Sequence, residues 1–310
     1  MRSQEEGDHE VIDCSSEVEQ GKRFAFGRNW QRFSRLVDED RIAAARESLV
    51  AALGTGDLAG RTFLDIGCGS GLFSLAALQL GAKVHSFDFD PDAVETTRQL
   101  RERYAPDSDW RVEHGSVLDS SLISRLGQFD IVYSWGVLHH TGALWEALDT
   151  VCRLVAPGGL LYVSIYNDQG LSSRAWRHVK RTYNSSGPVT RRLLVAGSGM
   201  YLNAPRRAVT LLKSAMTGRP PVGGQARRAR GMSARYDLID WVGGYPFEVA
   251  APEEVFRVGR RHGLELRHLK TCGGGLGCNE YVFASIADQD TAQRSPAARS
   301  AAALGTSVTG

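Results

Sequence analysis

Residues 61–71 constrain this chain more than any other segment, because they read as a strand that ends in a tight glycine turn. An apolar run ends in Asp65, and a helical pattern begins directly after the turn. A strand that enters a helix through such a turn is typical of α/β proteins that bind nucleotide-like ligands. The turn contains three alternating glycines, Gly67, Gly69 and Gly71.

The spacing and charge of this turn indicate the kind of ligand. Gly-x-Gly-x-Gly differs from the Gly-x-Gly-x-x-Gly of dinucleotide-binding folds, which direct helix N–H groups at a pyrophosphate. A carboxylate at Asp65 would repel a pyrophosphate but suits a ligand with an ammonium group and no phosphate. S-adenosylmethionine (SAM) is such a ligand. An NAD(P)-dependent oxidoreductase is the competing hypothesis, and both the spacing and the acid argue against it.

A second acid follows at the distance expected for ribose recognition. The predicted strand from Lys83 to Phe87 ends at Asp88, which lies 21 residues after Gly67. An acid at this strand tip can accept hydrogen bonds from both ribose hydroxyls. Phe89, the next residue, suits packing against an adenine face.

These motifs resemble those of the class I SAM-dependent methyltransferases over roughly residues 55–170. The resemblance implies an α/β fold with a seven-stranded Rossmann-like sheet, helices on both faces and a helical basic insertion after strand five. It also implies SAM as the methyl donor and S-adenosylhomocysteine (SAH) as the product. The implied cofactor-binding residues are Asp65, Gly67, Cys68, Gly69, Gly71, Asp88, Phe89, Ser116, Val117 and Trp135.

The adenine-binding position departs from the family's pattern. The family often has an acid directly after the glycine that corresponds to Gly115, whereas this chain has Ser116. Three alternatives are open: Ser116 accepts from the adenine amino group, Asp119 replaces the acid, or the Val117 N–H contacts the ring.

Candidate catalytic residues follow the fourth predicted strand. Methylation of a hydroxyl requires a group that removes its proton, and a histidine is suited to this task. His139 and His140 are the candidates, and we favour His140; the alternative is that both only cap or pack the turn. The candidate acceptor-binding residues are Trp30, Tyr166, Asn167 and Tyr245.

Within the superfamily, the chain is most similar to the ubiquinone-biosynthesis O-methyltransferases. The order of motifs, the strand end Ser164–Asn167 and the helix start at Pro252 carry this resemblance. Those enzymes usually have an acid–histidine pair where this chain has His139–His140, so we expect no metal site. The resemblance implies O-methylation of a small or lipid-linked acceptor. Alternatives are an N- or C-methyltransferase of a specialised metabolite, a carboxylate methyltransferase and a non-catalytic SAM-binding protein.

Residues 169–235 contain fourteen Lys and Arg residues and no Asp or Glu. Three interpretations are open for this segment: a solvated surface, an element that contacts anionic lipid, or an Arg-rich clamp for an anionic acceptor. A nucleic-acid partner is not expected, because the net charge of the whole chain is only +2.

The remaining composition predicts the organisation of the chain. We expect a disordered acidic lead (1–21), a lid helix with the SAM-binding core (22–168), a basic helical insertion (169–245), the C-terminal part of the core (246–287) and a disordered tail (288–310). Five scattered cysteines, no apolar signal region and no run of 18 apolar residues indicate a cytoplasmic protein, with peripheral contact to the inner membrane face as an extension.

Replacing the predicted ribose ligand gives a direct test. We expect Asp88→Ala to weaken SAM binding roughly 30- to 1,000-fold, because a bidentate carboxylate contact contributes about 2–4 kcal/mol. Isothermal titration calorimetry measures the change, and a loss of less than about threefold would show that Asp88 is misassigned.

Overall fold

A computed structural model describes residues 14–217 and 234–286. In these ranges one sheet has the order β3-β2-β1-β4-β5-β7-β6. β1 to β5 run parallel, and β7 lies antiparallel between β5 and β6. The seven-stranded sheet that the resemblance implies is confirmed. The strands are β1 (Thr62–Ile66), β2 (Lys83–Asp88), β3 (Trp110–His114), β4 (Phe129–Trp135), β5 (Val155–Tyr166), β6 (Leu264–Lys270) and β7 (Cys278–Ser285).

Eleven helices surround the sheet in the described ranges, and several have clear sequence signals at their ends. The Asp38 carboxylate accepts from Arg41 N at the start of α3, and Pro91 occupies the first turn of α5. The helices are α1 (Cys14–Glu19), α2 (Phe26–Ser34), α3 (Glu39–Leu53), α4 (Leu72–Gln79), α5 (Pro91–Tyr104), α6 (Ser120–Leu126), α7 (Leu144–Arg153), α8 (Leu171–Ser185), α9 (Pro188–Thr217), α10 (Ala234–Gly243) and α11 (Pro252–Arg261), with a 3₁₀ turn at Leu138–His140.

Hydrophobic cores lie on both faces of the sheet, because its central parallel strands are covered by helices on each side. Neighbouring residues alternate between the two cores. Phe63 and Ile131 belong to one, and Leu64 and Val132 belong to the other. The central strands are therefore held from both sides, and their carboxyl ends form a fixed platform.

A buried chain of hydrogen bonds supports the glycine turn from below. Ser74 Oγ donates to Asp65 Oδ2 at 2.5 Å, and the hydroxyls of Ser74 and Ser86 lie 2.7 Å apart. Trp110 Nε1 donates to Ser86 Oγ at 2.8 Å. These hydrogen bonds link β1, α4, β2 and β3, and they hold the Asp65 side chain in place beneath the glycine turn.

Two sequence expectations differ from the structure. The predicted disordered lead contains helix α1, because Cys14 is buried and Glu17 forms a 2.5 Å ion pair with Arg23. The sequence predicts a break in the insertion at Gly197 and Gly199 and a new helix at Pro205, but α9 is continuous from Pro188 to Thr217. The predicted disorder of 1–13 and 288–310 and the predicted loop at 218–224 lie outside the described residues.

Candidate active site

A cavity of about 970 Å³ opens at the carboxyl ends of the parallel strands. In open α/β sheets this edge is where ligands bind. Its walls come from the glycine turn, the ends of β2, β3 and β4, the N-terminal segment around α2, and α10. The predicted donor and acceptor regions are therefore parts of one continuous space.

The glycine turn requires residues without side chains. Gly67, Gly69 and Gly71 have φ angles of 75°, 58° and 76°, which are strained for other residues. A Cβ atom on Gly69 would lie 2.9 Å from the Trp30 ring, so the indole lies directly against the turn. The positive φ angles explain why all three positions are glycine, and the close approach of Trp30 is a second reason at Gly69.

Asp88 is held in place at the end of β2. Its Oδ2 accepts from Gly69 N and its Oδ1 from Asp90 N, each at 2.9 Å. Each carboxylate oxygen keeps a second lone pair, so both remain available to a ribose hydroxyl. Burial raises the pKa of Asp88 to about 6, opposed by the two backbone hydrogen bonds.

The adenine end of the cavity is built from the other predicted cofactor residues. The Phe89 and His114 rings stack with centroids 6.4 Å apart. Ser116 Oγ accepts from Leu118 N at 3.1 Å, and Asp119 accepts from the first N–H groups of α6. Cys68, Val117 and Trp135 also line the cavity. Ser116 and Asp119 therefore stabilise their own turns, and all three adenine alternatives stay open.

His140 lies on the cavity wall at the end of β4. Its Nδ1 lies 2.6 Å from the Pro246 carbonyl, to which it donates, so Nε2 is the acceptor atom of the ring. Burial, with a smaller effect of the Lys180 charge, lowers the pKa of His140 to about 3. The imidazole is therefore neutral throughout the neutral pH range.

His139 has a different position. It is fully buried and does not line the cavity. Its Nδ1 accepts from Tyr166 N at 3.3 Å, and its ring centroid lies 3.9 Å from that of Tyr166. His139 thus packs the end of β5, which is a structural role.

Lys180 belongs to the basic segment 169–235 but is not a surface residue. Its side chain is 0% exposed. Its Nζ donates to the Trp241 carbonyl and lies 5.4, 4.7 and 4.7 Å from the ring centroids of Tyr166, Trp241 and Phe247. Burial lowers the pKa of Lys180 to about 7, opposed by the Asp240 charge.

Two acids of α10 also escaped the sequence analysis. Asp237 and Asp240 both line the cavity. The Asp240 Oδ1 accepts from Asn29 Nδ2 of α2 at 2.7 Å. Burial raises the pKa of Asp240 to about 8. Their i, i+3 spacing was visible in the sequence, but nothing there indicated that this helix faces the site.

The structure separates the acceptor candidates. Trp30 and Tyr166 line the cavity, whereas Asn167 and Tyr245 are not among its lining residues. A role of any of the four in acceptor binding stays a prediction. Asn167 Oδ1 accepts from Asn279 Nδ2, which ties β5 to β7. The Tyr245 carbonyl accepts from Phe24 N. Asn167 thus connects β5 to β7, and Tyr245 connects the segment after α10 to the N-terminal segment.

Neither a metal-binding cluster nor a membrane-spanning helix is present in the described ranges. Within 14–217 and 234–286, no group of three or more His, Cys, Asp or Glu side chains could hold a metal ion. No helix in the same ranges has the length and apolar character needed to cross a membrane.

Part of the sheet is similar to a known family. The family model described as "Methyltransferase domain" matches residues 64–161, which run from β1 into β5. The matched residues include the glycine turn, Asp88 and His140.

The curated relatives match about two fifths of this chain or less. A ubiquinone biosynthesis O-methyltransferase of Xanthomonas oryzae pv. oryzae is 36% identical over 111 residues, 36% of this chain and 45% of that protein. One from Methylobacterium sp. is 32% identical over 127 residues, 41% and 49% of the two chains. The chain thus spans under half the length of these relatives. A SAH-bound magnesium protoporphyrin IX methyltransferase of Synechocystis is 15% identical, with a TM-score of 0.45 over 80% of this chain and 88% of that one.

The raised pKa of Asp88 predicts that cofactor affinity depends on pH. The ionised carboxylate accepts from ribose hydroxyls, so protonation below about pH 6 competes with binding. We expect SAH affinity to fall about tenfold between pH 7 and pH 5, measured by calorimetry. Asp88→Asn is the matched control, because it cannot titrate. A fall of equal size in Asp88→Asn would show that the pH dependence does not come from Asp88.

Proposed function

We propose that this protein is a SAM-dependent methyltransferase that transfers a methyl group to an oxygen atom of a small or lipid-linked acceptor. The observation that carries the proposal is that one cavity contains Asp88 and the glycine turn at one end and the neutral His140 at the other. A methyl donor and an acceptor can therefore bind next to each other in the same cavity.

The N-terminal segment forms part of the cavity wall and contacts both the end of β4 and the predicted adenine region. Arg23 donates to the His140 carbonyl at 2.8 Å, pairs with Glu17, and has its Cζ 4.8 Å from the Phe89 ring centroid. When bound, SAM supplies a methyl group that is already activated on a sulfonium centre. Positioning and desolvation are thus the main tasks left to the protein.

His140 Nε2 carries no proton at neutral pH and can accept one. With SAM bound in this cavity, His140 Nε2 would take up the hydroxyl proton while the acceptor oxygen replaces sulfur on the methyl carbon. The Pro246 carbonyl holds Nδ1–H and fixes the tautomer that this step needs. Relatives named ubiquinone biosynthesis O-methyltransferase support the choice of oxygen over nitrogen or carbon.

The described arginines of the insertion give no support to a carboxylate acceptor. They are exposed on α8 and α9 and do not line the cavity. The residues are Arg174, Arg177, Arg181, Arg191 and Arg192.

The proposed function is tested in two steps. Titration with SAH measures cofactor binding, and release of SAH from SAM in the presence of a phenol and catechol library measures turnover. We expect binding and turnover. Absence of SAH binding refutes the proposal, and binding without turnover of any acceptor pool favours a non-catalytic SAM-binding protein.

Replacing each histidine by asparagine separates catalysis from structure. His140→Asn keeps an N–H donor for the Pro246 carbonyl but removes Nε2, so we expect kcat to fall about 10²- to 10⁴-fold with little change in SAH affinity. The matched control is His139→Asn, whose Oδ1 can still accept from Tyr166 N; we expect it to retain kcat within about threefold. Equal kcat values for the two variants contradict a base role for His140.

We also propose that α8 and α9 contact an anionic membrane surface. Large apolar side chains are exposed there beside the arginines, in a stretch without acids. Such a combination is typical of helices that lie in the headgroup region. The exposed apolar residues are Leu171, Val189, Leu193, Met200 and Tyr201.

Vesicle sedimentation tests this contact. We expect binding to phosphatidylglycerol vesicles that weakens with salt and is absent with phosphatidylcholine alone. Val189→Ser combined with Leu193→Ser should reduce binding at least about tenfold, because two apolar anchors are lost. Leu36→Ser, at an exposed position in the N-terminal segment, is the control. Unchanged sedimentation of the double variant contradicts the proposal.

A further inference from the structure

The acceptor end of the cavity carries two carboxyl groups on one helix face. Asp237 and Asp240 are three residues apart on α10, and both side chains line the cavity. Their charges both raise the pKa of Tyr166, which indicates that they lie near the end of β5. The acids therefore belong to the same end of the cavity as His140 and Tyr166.

Asp240 is oriented by a contact that leaves part of it available. Its Oδ1 accepts from Asn29 Nδ2, which fixes the carboxyl group between α2 and α10. Among the residues that the structure describes, no donor reaches its Oδ2. A ligand in the cavity can supply that donor.

Aromatic side chains line the same cavity as the two acids. They are Phe26, Trp30, Tyr166 and Trp241. The Tyr166 and Trp241 rings meet edge to face with centroids 5.1 Å apart. Ring faces beside carboxylates attract an organic cation, because the ring quadrupole and the carboxylate charge act in the same direction.

Few basic side chains line the cavity in the part of the chain that the structure describes. There, Arg23 is the one Lys or Arg side chain on the wall, and it pairs with Glu17. Lys180 does not line the cavity and donates to the Trp241 carbonyl. Among the described lining residues, Asp240 therefore offers an ammonium group a closer partner than Arg23 offers a carboxylate.

We propose that the acceptor carries an amino group, and that Asp237 and Asp240 hold its ammonium form while the hydroxyl to be methylated lies toward His140. This inference rests on the proposed function and adds the chemical class of the acceptor.

Three phenols that differ mainly in charge test the inference. They are tyramine, which is a cation, 4-ethylphenol, which is neutral, and 4-hydroxyphenylacetate, which is an anion. Calorimetry is performed on the full chain with and without SAH. We expect tyramine to bind at least about tenfold more tightly than 4-ethylphenol, and the anion to bind most weakly.

Charge-neutral variants identify the residues responsible. Asp240→Asn and Asp237→Asn should each reduce the preference for tyramine to about threefold or less. Asp109→Asn is the matched control, because Asp109 is exposed just before β3, at the opposite edge of the sheet. It should leave the preference unchanged.

Three results would overturn the inference: equal or reversed affinities, an unchanged preference in both cavity variants, or no tyramine binding up to about 10 mM. Loss of SAH binding with the charge order intact would instead refute the proposed function alone.

Discussion

The hydrogen bond from Gly69 N–H to the Asp88 carboxylate is the contact on which the donor half of the site depends. It joins the turn after β1 to the end of β2, and it forms because Gly69 adopts a φ angle of 58°. The same turn supports Trp30, whose ring lies where any Cβ on Gly69 would project. Gly69 therefore orients the Asp88 carboxylate and also allows the Trp30 ring to pack directly on the turn.

The acceptor half depends on a second set of contacts, which are made over long distances in the chain. Lys180 Nζ donates to the Trp241 carbonyl, and Asn184 Nδ2 donates to the Gly243 carbonyl at 2.7 Å. Asn29 holds Asp240 from the opposite side. Helix α8 thus fastens α10 against the site, so part of the basic insertion is structural core.

This difference explains what the sequence could predict. The seven-stranded sheet was predictable from the family resemblance, which the glycine turn and Asp88 carry. Their arrangement at one edge of the sheet was predictable because a strand, a turn and an acid about 20 residues later form one local βαβ unit. The positions of His139 and His140 were not, because they lie in a 3₁₀ turn where neighbouring residues face different surroundings. Lys180 had a readable signal, since it shares a 3–4 spacing with Trp176 and Asn184 on the buried face of α8.

Basic and acidic side chains occupy different surfaces of α8, α9 and α10. The net charge of +2 for the whole chain does not reveal this separation. The described arginines of α8 and α9 point to solvent, whereas Asp237 and Asp240 point to the cavity. Interactions between exposed charges fade beyond about 10 Å at moderate salt, but acids in a cavity wall act on a ligand at contact distance. The two proposals therefore need not conflict. The outer arginines would meet an anionic lipid surface, while the acids of the cavity wall would meet an acceptor with an amino group.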